Sequence, residues 1–137
     1  MAYKYKIYPD RDLLVDILEG EISAADLQGI YTHEIGDPDF KHVKKCISNI
    51  ENAVFSFPVQ ELKKFIEFMI EPNPDPEFRW AILAGAPTET AFAVLIQRDP
   101  YFSDKVGVFS TLKACTAFLD RPYQRLEFED PDFLILA

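Results

Sequence analysis

The chain has 137 residues, 48% of them hydrophobic and 27% charged, which suits one domain over residues 1–137 with enough apolar area to offset the entropy of ordering it. Its 14 Lys and Arg stand against 23 Asp and Glu, a net charge of −9, so the surface repels nucleic-acid phosphates and anionic lipid head groups. Collagen-like and disordered classes are excluded, nucleic acid is not an expected partner, and no apolar run approaches the ~18 residues that a membrane span requires.

Residues 3–8 alternate, with Tyr3, Tyr5 and Ile7 on one side and Lys4 and Lys6 on the other; Pro9-Asp10-Arg11-Asp12 turns, and Leu13, Val15 and Ile17 alternate again. This predicts a β-hairpin. Ser23 stands three residues before Asp26, the spacing of a helix N-terminus in which the hydroxyl accepts from the free first-turn N–H groups. The helix that follows has the stripe Leu27, Ile30, Tyr31 and Ile35, and Gly36-Asp37-Pro38 stops it, because proline disfavours a helical residue before it.

Residues 43–50 and 53–57 read as a third strand with its exit, too continuously apolar for a half-exposed edge and therefore central. Pro58 suits a first helical turn, and Leu62, Phe65, Ile66 and Met69 fall at i, i+3, i+4 and i+7 of a second helix. Prolines at 72, 74 and 76 make the next connection stiff. Residues 80–84 form a fourth strand, closed by Gly85-Ala86-Pro87. Thr88 is the expected cap of a third helix with Phe92, Leu95 and Ile96 inward. Residues 105–109 form a fifth strand, Ser110 is the expected cap of a fourth helix with Leu112, Cys115, Phe118 and Leu119 inward, and Arg121-Pro122 ends it. The tail, with Leu126, Phe128 and residues 133–136, is expected to pack back on the domain, with room for a late edge strand. The order ββαβαβαβα is that of an α/β domain: strands three to five parallel, helices covering the sheet, and the N-terminal hairpin as an antiparallel edge.

Common catalytic patterns are missing: no G-x-G-x-x-G, G-x-x-x-x-G-K-[ST], C-x-x-C, H-E-x-x-H or G-x-S-x-G occurs. His33, Asp37, Asp39 and His42 are local candidates for metal ligands, but the Gly-Asp-Pro break denies them a fixed spacing on one face, and a polar loop is the expectation. Cys46 and Cys115 sit in apolar-periodic segments and read as buried free thiols in a reducing compartment, not as nucleophiles or a disulfide. With no apolar leader after Met1, a soluble, unexported, cytoplasmic protein is expected, without cofactor or metal. The 12 phenylalanines mostly fall on inward stripes, where core burial explains them, although they could also line a pocket for a small apolar ligand. In open parallel sheets, ligands gather at the carboxyl ends of strands, where helix N-termini offer unpaired N–H groups. Here that edge would carry Ser56, Phe57, Gly85, Thr88, Ser110 and Thr111.

In this element order, three segments resemble the SpoIIAA-like group, the STAS domains and their SEC14-like relatives. They are the hairpin end Leu18-Glu19-Gly20-Glu21-Ile22-Ser23 with the helix from Ala24, the strand Arg79-Trp80-Ala81-Ile82-Leu83, and Lys105-Val106-Gly107-Val108-Phe109 with the helix after it. The resemblance spans residues 3–121 and rests on core and cap positions. It implies a β-α domain without catalytic residues that regulates by protein–protein contact, or, in the SEC14-like alternative, binds a small apolar ligand. A protein partner is implied, and a homodimer is compatible. Anti-sigma-factor antagonists of this fold carry a phosphorylatable serine in an Asp-Ser-Ser-Gly-like segment after the central strand. The corresponding Ser56-Phe57-Pro58-Val59 departs from it, with Pro58 about where the acceptor would be and no preceding acid, so no phosphorylation site is assigned.

Overall fold

The computed structural model describes residues 2–70 and 76–136. The alternating N-terminal segments form the antiparallel strands β1 (Ala2–Tyr8) and β2 (Leu13–Ile22), with Tyr3 opposite Leu18 and Tyr5 opposite Asp16. Asp12 makes the turn in a left-handed conformation (φ 54°), which a short polar side chain tolerates better than a branched one. Helix α1 (Ala24–Ile35) begins as its spacing predicts: Asp26 N–H donates to Ser23 Oγ at 3.0 Å, and Ser23 N–H donates back to Asp26 Oδ2 at 2.9 Å. Strand β3 (Lys45–Phe55), helix α2 (Val59–Ile70), strand β4 (Arg79–Leu83), helix α3 (Pro87–Arg98), strand β5 (Val106–Phe109) and helix α4 (Leu112–Leu119) follow in the expected order. Of the proline-rich connection, residues 71–75 lie outside the described residues.

The sheet order is β5-β4-β3-β2-β1-β6, with β2 to β5 all parallel and β3 in the interior, as its continuous apolar character requires. The hairpin does not end the sheet. A short strand β6 (Leu134–Leu136) pairs antiparallel with β1, setting Tyr3 opposite Leu136 and Tyr5 opposite Leu134. Covering β1 leaves a three-residue strand at the edge, too short to offer a long ladder of unpaired groups.

Alternation sorts the strands into two cores. Leu13, Val15, Ile47, Ala81 and Leu83 face α4 and the tail, packing with Leu112, Cys115 and Leu119, and with Tyr123, Phe128 and Phe133. Leu14, Leu18, Cys46, Ile50, Ile82 and Val106 face α1, α2 and α3, packing with Leu27, Ile30, Leu62, Phe65, Ile66, Met69 and Ile96. Between Ile17 and Glu19 the register shifts: two positions along β2 match three along β3, from Asn49 to Asn52. This bulge reverses the alternation of β3, so that Ile50 and Ala53 both join the α1–α3 core.

Several local expectations are corrected. The N-cap of α3 is Ala86 rather than Thr88, since Pro87, with its fixed φ and no N–H to satisfy, takes the first helical position. The N-cap of α4 is Thr111 rather than Ser110; its hydroxyl accepts from Ala114 N–H at 3.2 Å. Phe118 is 37% exposed instead of inward and lies against Phe109, while Leu126 in the tail is 75% exposed. The tail instead docks through Phe128 and Phe133. It also holds the lysines of β1: Lys4 donates to the Phe128 carbonyl at 3.2 Å, and Lys6 pairs with Asp130 at 2.8 Å.

Candidate functional site

The residues expected at the carboxyl edge fall in three places. Asn49, Leu83 and Phe109 mark one level across β3, β4 and β5. Gly85 and Ser110 follow at once, but β3 runs on beside β2, so Ser56 lies on the order of 20 Å further along at ~3.3 Å per residue. Ser56 is exposed and its N–H donates to the Ile22 carbonyl at 3.3 Å; Phe57 is half-buried against Phe55 and Phe92. Gly85 stands beside Glu51, and Thr88 is exposed in the first turn of α3. Ser110 and Thr111, both exposed, start α4, which packs on the opposite face of the sheet from α3. The extension of β3 thus carries an aromatic cluster of Phe55, Phe57 and Phe92, with exposed Val54 and Val59 beside it, and Glu89 Oε1 accepts from Phe55 N–H at 3.4 Å.

Two of the four residues considered as metal ligands, Asp37 and His33, have other partners. Asp37 accepts from the Tyr5 hydroxyl at 2.7 Å and from Asp39 N–H at 2.9 Å, capping the short turn Pro38–His42, and His33 sits edge-on to the Tyr5 ring. Cys46 and Cys115 are buried free thiols. Burial pushes Cys46 well above the ordinary thiol range and Cys115 up to about 11.

A second locus lies between the sheet and helices α1–α3, and the sequence reading missed it. Asp16 of β2 and Glu34 of α1 are only 5% and 6% exposed. Asp16 is level with Ser48 on β3 and occupies the sheet face between Leu14 and Leu18, while Glu34 is one turn beyond Ile30 on the inward side of α1. Tyr3, on the same face of β1, donates its hydroxyl proton to Glu34 Oε2 at 2.5 Å, and Trp80 Nε1–H donates to Ser48 Oγ at 2.9 Å. Burial raises the pKa of both acids. Glu34 goes further because of the charge of Asp16 and hydrogen bonding to it, while hydrogen bonding from Glu34 and Ser48 pulls Asp16 back. Of the two, Glu34 is the more strongly shifted toward its protonated form. Two adjoining cavities of about 60 and 70 Å3 meet at this group, sharing Asp16, Tyr31, Glu34, Ser48, Met69 and Trp80. The first is otherwise walled by apolar side chains, among them Phe40, Phe78 and Phe102.

The strand order and crossovers have counterparts among solved structures. The anti-sigma factor antagonist SpoIIAA in its unphosphorylated form aligns with a TM-score of 0.54 at 14% identity, over 82% of this chain and 91% of its own. The fold is SpoIIAA-like. A protein of the DUF3478 family from Shewanella loihica PV-4, itself described as having a SpoIIAA-like fold, aligns at 0.55 with 10% identity, over 85% of this chain and 93% of its own. At these identities what the SpoIIAA-like structures share with the chain is the fold. No protein-family model matches the sequence, and no curated protein matches it significantly. Among the described residues of this SpoIIAA-like chain, no helix is long and apolar enough to cross a membrane, and no three His, Cys, Asp or Glu side chains are grouped to hold a metal ion.

Proposed function

We propose that the chain is a non-enzymatic, STAS-like regulatory module of the cytoplasm that acts by binding another protein through the carboxyl edge of its sheet. The observation that carries this reading is the projecting end of β3. There a SpoIIAA-like fold presents exposed Val54 and Val59 around the half-buried Phe55–Phe57–Phe92 cluster, an apolar surface with no covering element among the described residues. Apolar anchors inside a polar rim are the usual core of a protein contact, and the exposed Ser56, between Phe55 and Phe57, and Thr88, next to Glu89, supply polar groups at this end of β3, whereas Gly85, Ser110 and Thr111 lie apart from it. With a net charge of −9, long-range steering toward an acidic partner is unfavourable, so recognition rests on short-range contacts at this edge. SpoIIAA, whose fold the chain shares, is named an anti-sigma factor antagonist, which supports a regulatory reading.

The test is affinity isolation from the source cells with three baits: the wild-type chain, Val54→Asp and, as a surface control, Leu126→Asp. A protein retained by wild type and by the control but lost with Val54→Asp is the expected result. A partner lost with Leu126→Asp and kept with Val54→Asp would move the contact away from this edge.

A further inference from the structure

We propose that the cavity between the sheet and helices α1–α3 is a binding site for a small molecule with an apolar body and a hydrogen-bond-donating head, a hydroxyl or a protonated amine, which Asp16 anchors. The polar floor carries the argument. Asp16 is almost wholly buried, lines both adjoining cavities, and among the described residues its Oδ1 is the buried side-chain oxygen without a hydrogen-bond partner. A buried acceptor left unmet costs about 1–3 kcal/mol, so native structures seldom keep one without something to fill it. Tyr3 donates to Glu34 and Trp80 to Ser48, and the hydrogen bonding of Glu34 and Ser48 with Asp16 still leaves Oδ1 unmet. What Oδ1 lacks is one donor, and a ligand in the cavity that Asp16 lines would bring it.

The walls set the rest of the ligand. Phe40, Phe78, Trp80 and Tyr31 are half-buried and form the outer side of the first cavity, while Leu14, Met69 and Phe102 are buried deeper. Two adjoining spaces of about 60 and 70 Å3 compare with the ~150 Å3 engineered cavity that holds benzene, which points to a body of about six to ten non-hydrogen atoms. The aromatic faces also favour a cation, so an ammonium head is as well matched to the site as a hydroxyl. An anionic head is excluded, since it would face Asp16 across a cavity with no basic side chain among its described lining residues. This site is separate from the carboxyl edge and stands or falls independently of the protein-contact reading.

The experiment titrates the purified chain with toluene, benzyl alcohol, benzylamine and benzoate, each up to its solubility. Binding is read from the indole N–H resonance of Trp80, the chain's one tryptophan, and from the Met69 methyl resonance. Benzyl alcohol or benzylamine should bind about tenfold more tightly than toluene, the equivalent of ~1.4 kcal/mol for one hydrogen bond, and benzoate should not bind. Which of the two binds distinguishes a neutral from a cationic head. Asp16→Leu should erase the preference while toluene still shifts the same two signals. Equal affinity for toluene and the donor-headed ligands, a preference for benzoate, or no shift with any of them would overturn the proposal, and the wild-type series decides even if Asp16→Leu fails to fold.

Discussion

Replacing Glu34 by Gln should stabilise the protein relative to wild type progressively as the pH rises above the ordinary glutamate value of 4.5. In the folded chain, burial first, then the charge of Asp16 and hydrogen bonding to it, hold the Glu34 pKa well above that value; the Tyr3 hydroxyl, donating at 2.5 Å, opposes them without prevailing. Below 4.5 both folded and unfolded chains keep the proton, and the stability associated with it is fully present. Above 4.5 the unfolded chain releases a proton that the folded chain retains, so wild-type stability falls until the pH passes the folded value. One proton over one pH unit is worth at most about 1.4 kcal/mol, so the wild type should lose stability steadily as the pH rises through this range, against a typical total of ~5–15 kcal/mol. The amide introduced by Glu34→Gln does not titrate, keeps the size of the side chain, still accepts from Tyr3 through its carbonyl, and can donate to Asp16 through its N–H. Urea unfolding of both proteins at about pH 4.5, 5.5 and 6.5 measures the difference directly. A difference that is the same at all three pH values, whatever its size, would show that Glu34 ionises normally and that the buried acid pair has been misread.

Four further outcomes follow from packing and burial. Phe65→Ala should cost on the order of 3–5 kcal/mol in chemical unfolding, because Phe65 is buried with Leu62, Ile66 and Met69 on the inward face of α2; a loss below about 1 kcal/mol would contradict that face. Gly107→Ala should cost about 1–3 kcal/mol, since a Cβ there would lie 2.5 Å from the Phe109 ring and 3.3 Å from that of Phe118, and the Phe109–Phe118 pair would have to move; unchanged stability would show that the rings yield freely. Cys46 and Cys115 should react with a thiol reagent far more slowly in the native chain than after denaturation, and equal rates would refute their burial. Ser23→Ala should cost about 1 kcal/mol by removing the acceptor of Asp26 N–H, measured by the same unfolding assay, with no loss expected only if the capping pair were not formed.

What could be read from the sequence was local or periodic, and what was missed depended on contacts distant in the chain. The Ser23–Asp26 pair, the α2 stripe and the interior place of β3 each follow from a few neighbouring residues. Strand β6 was legible only as room for a late edge strand: Leu134 and Ile135 are exposed, so no apolar alternation announces it, and its partner β1 lies more than a hundred residues away in the chain. The caps failed for a narrower reason, since Thr88 and Ser110 are good capping residues displaced by one or two positions when Pro87 and Thr111 satisfy the same helix starts. The carboxyl edge was misjudged in geometry because the bulge and the overrun of β3 cannot be seen in an element order, and they separate strand ends that an ideal parallel sheet would align. The acid pair is the instructive case, because its positions were legible while its meaning was not. Glu34 follows Leu27 and Ile30 at the i+7 position of an inward stripe, and Asp16 interrupts the apolar run 13–18 between Leu14 and Leu18. Each acid taken alone reads as a solvated interruption. Taken together, two acids on the buried faces of two elements that pack on each other require a shared proton, and the tyrosine, serine and tryptophan that come to them from β1, β3 and β4 are the partners such a requirement selects.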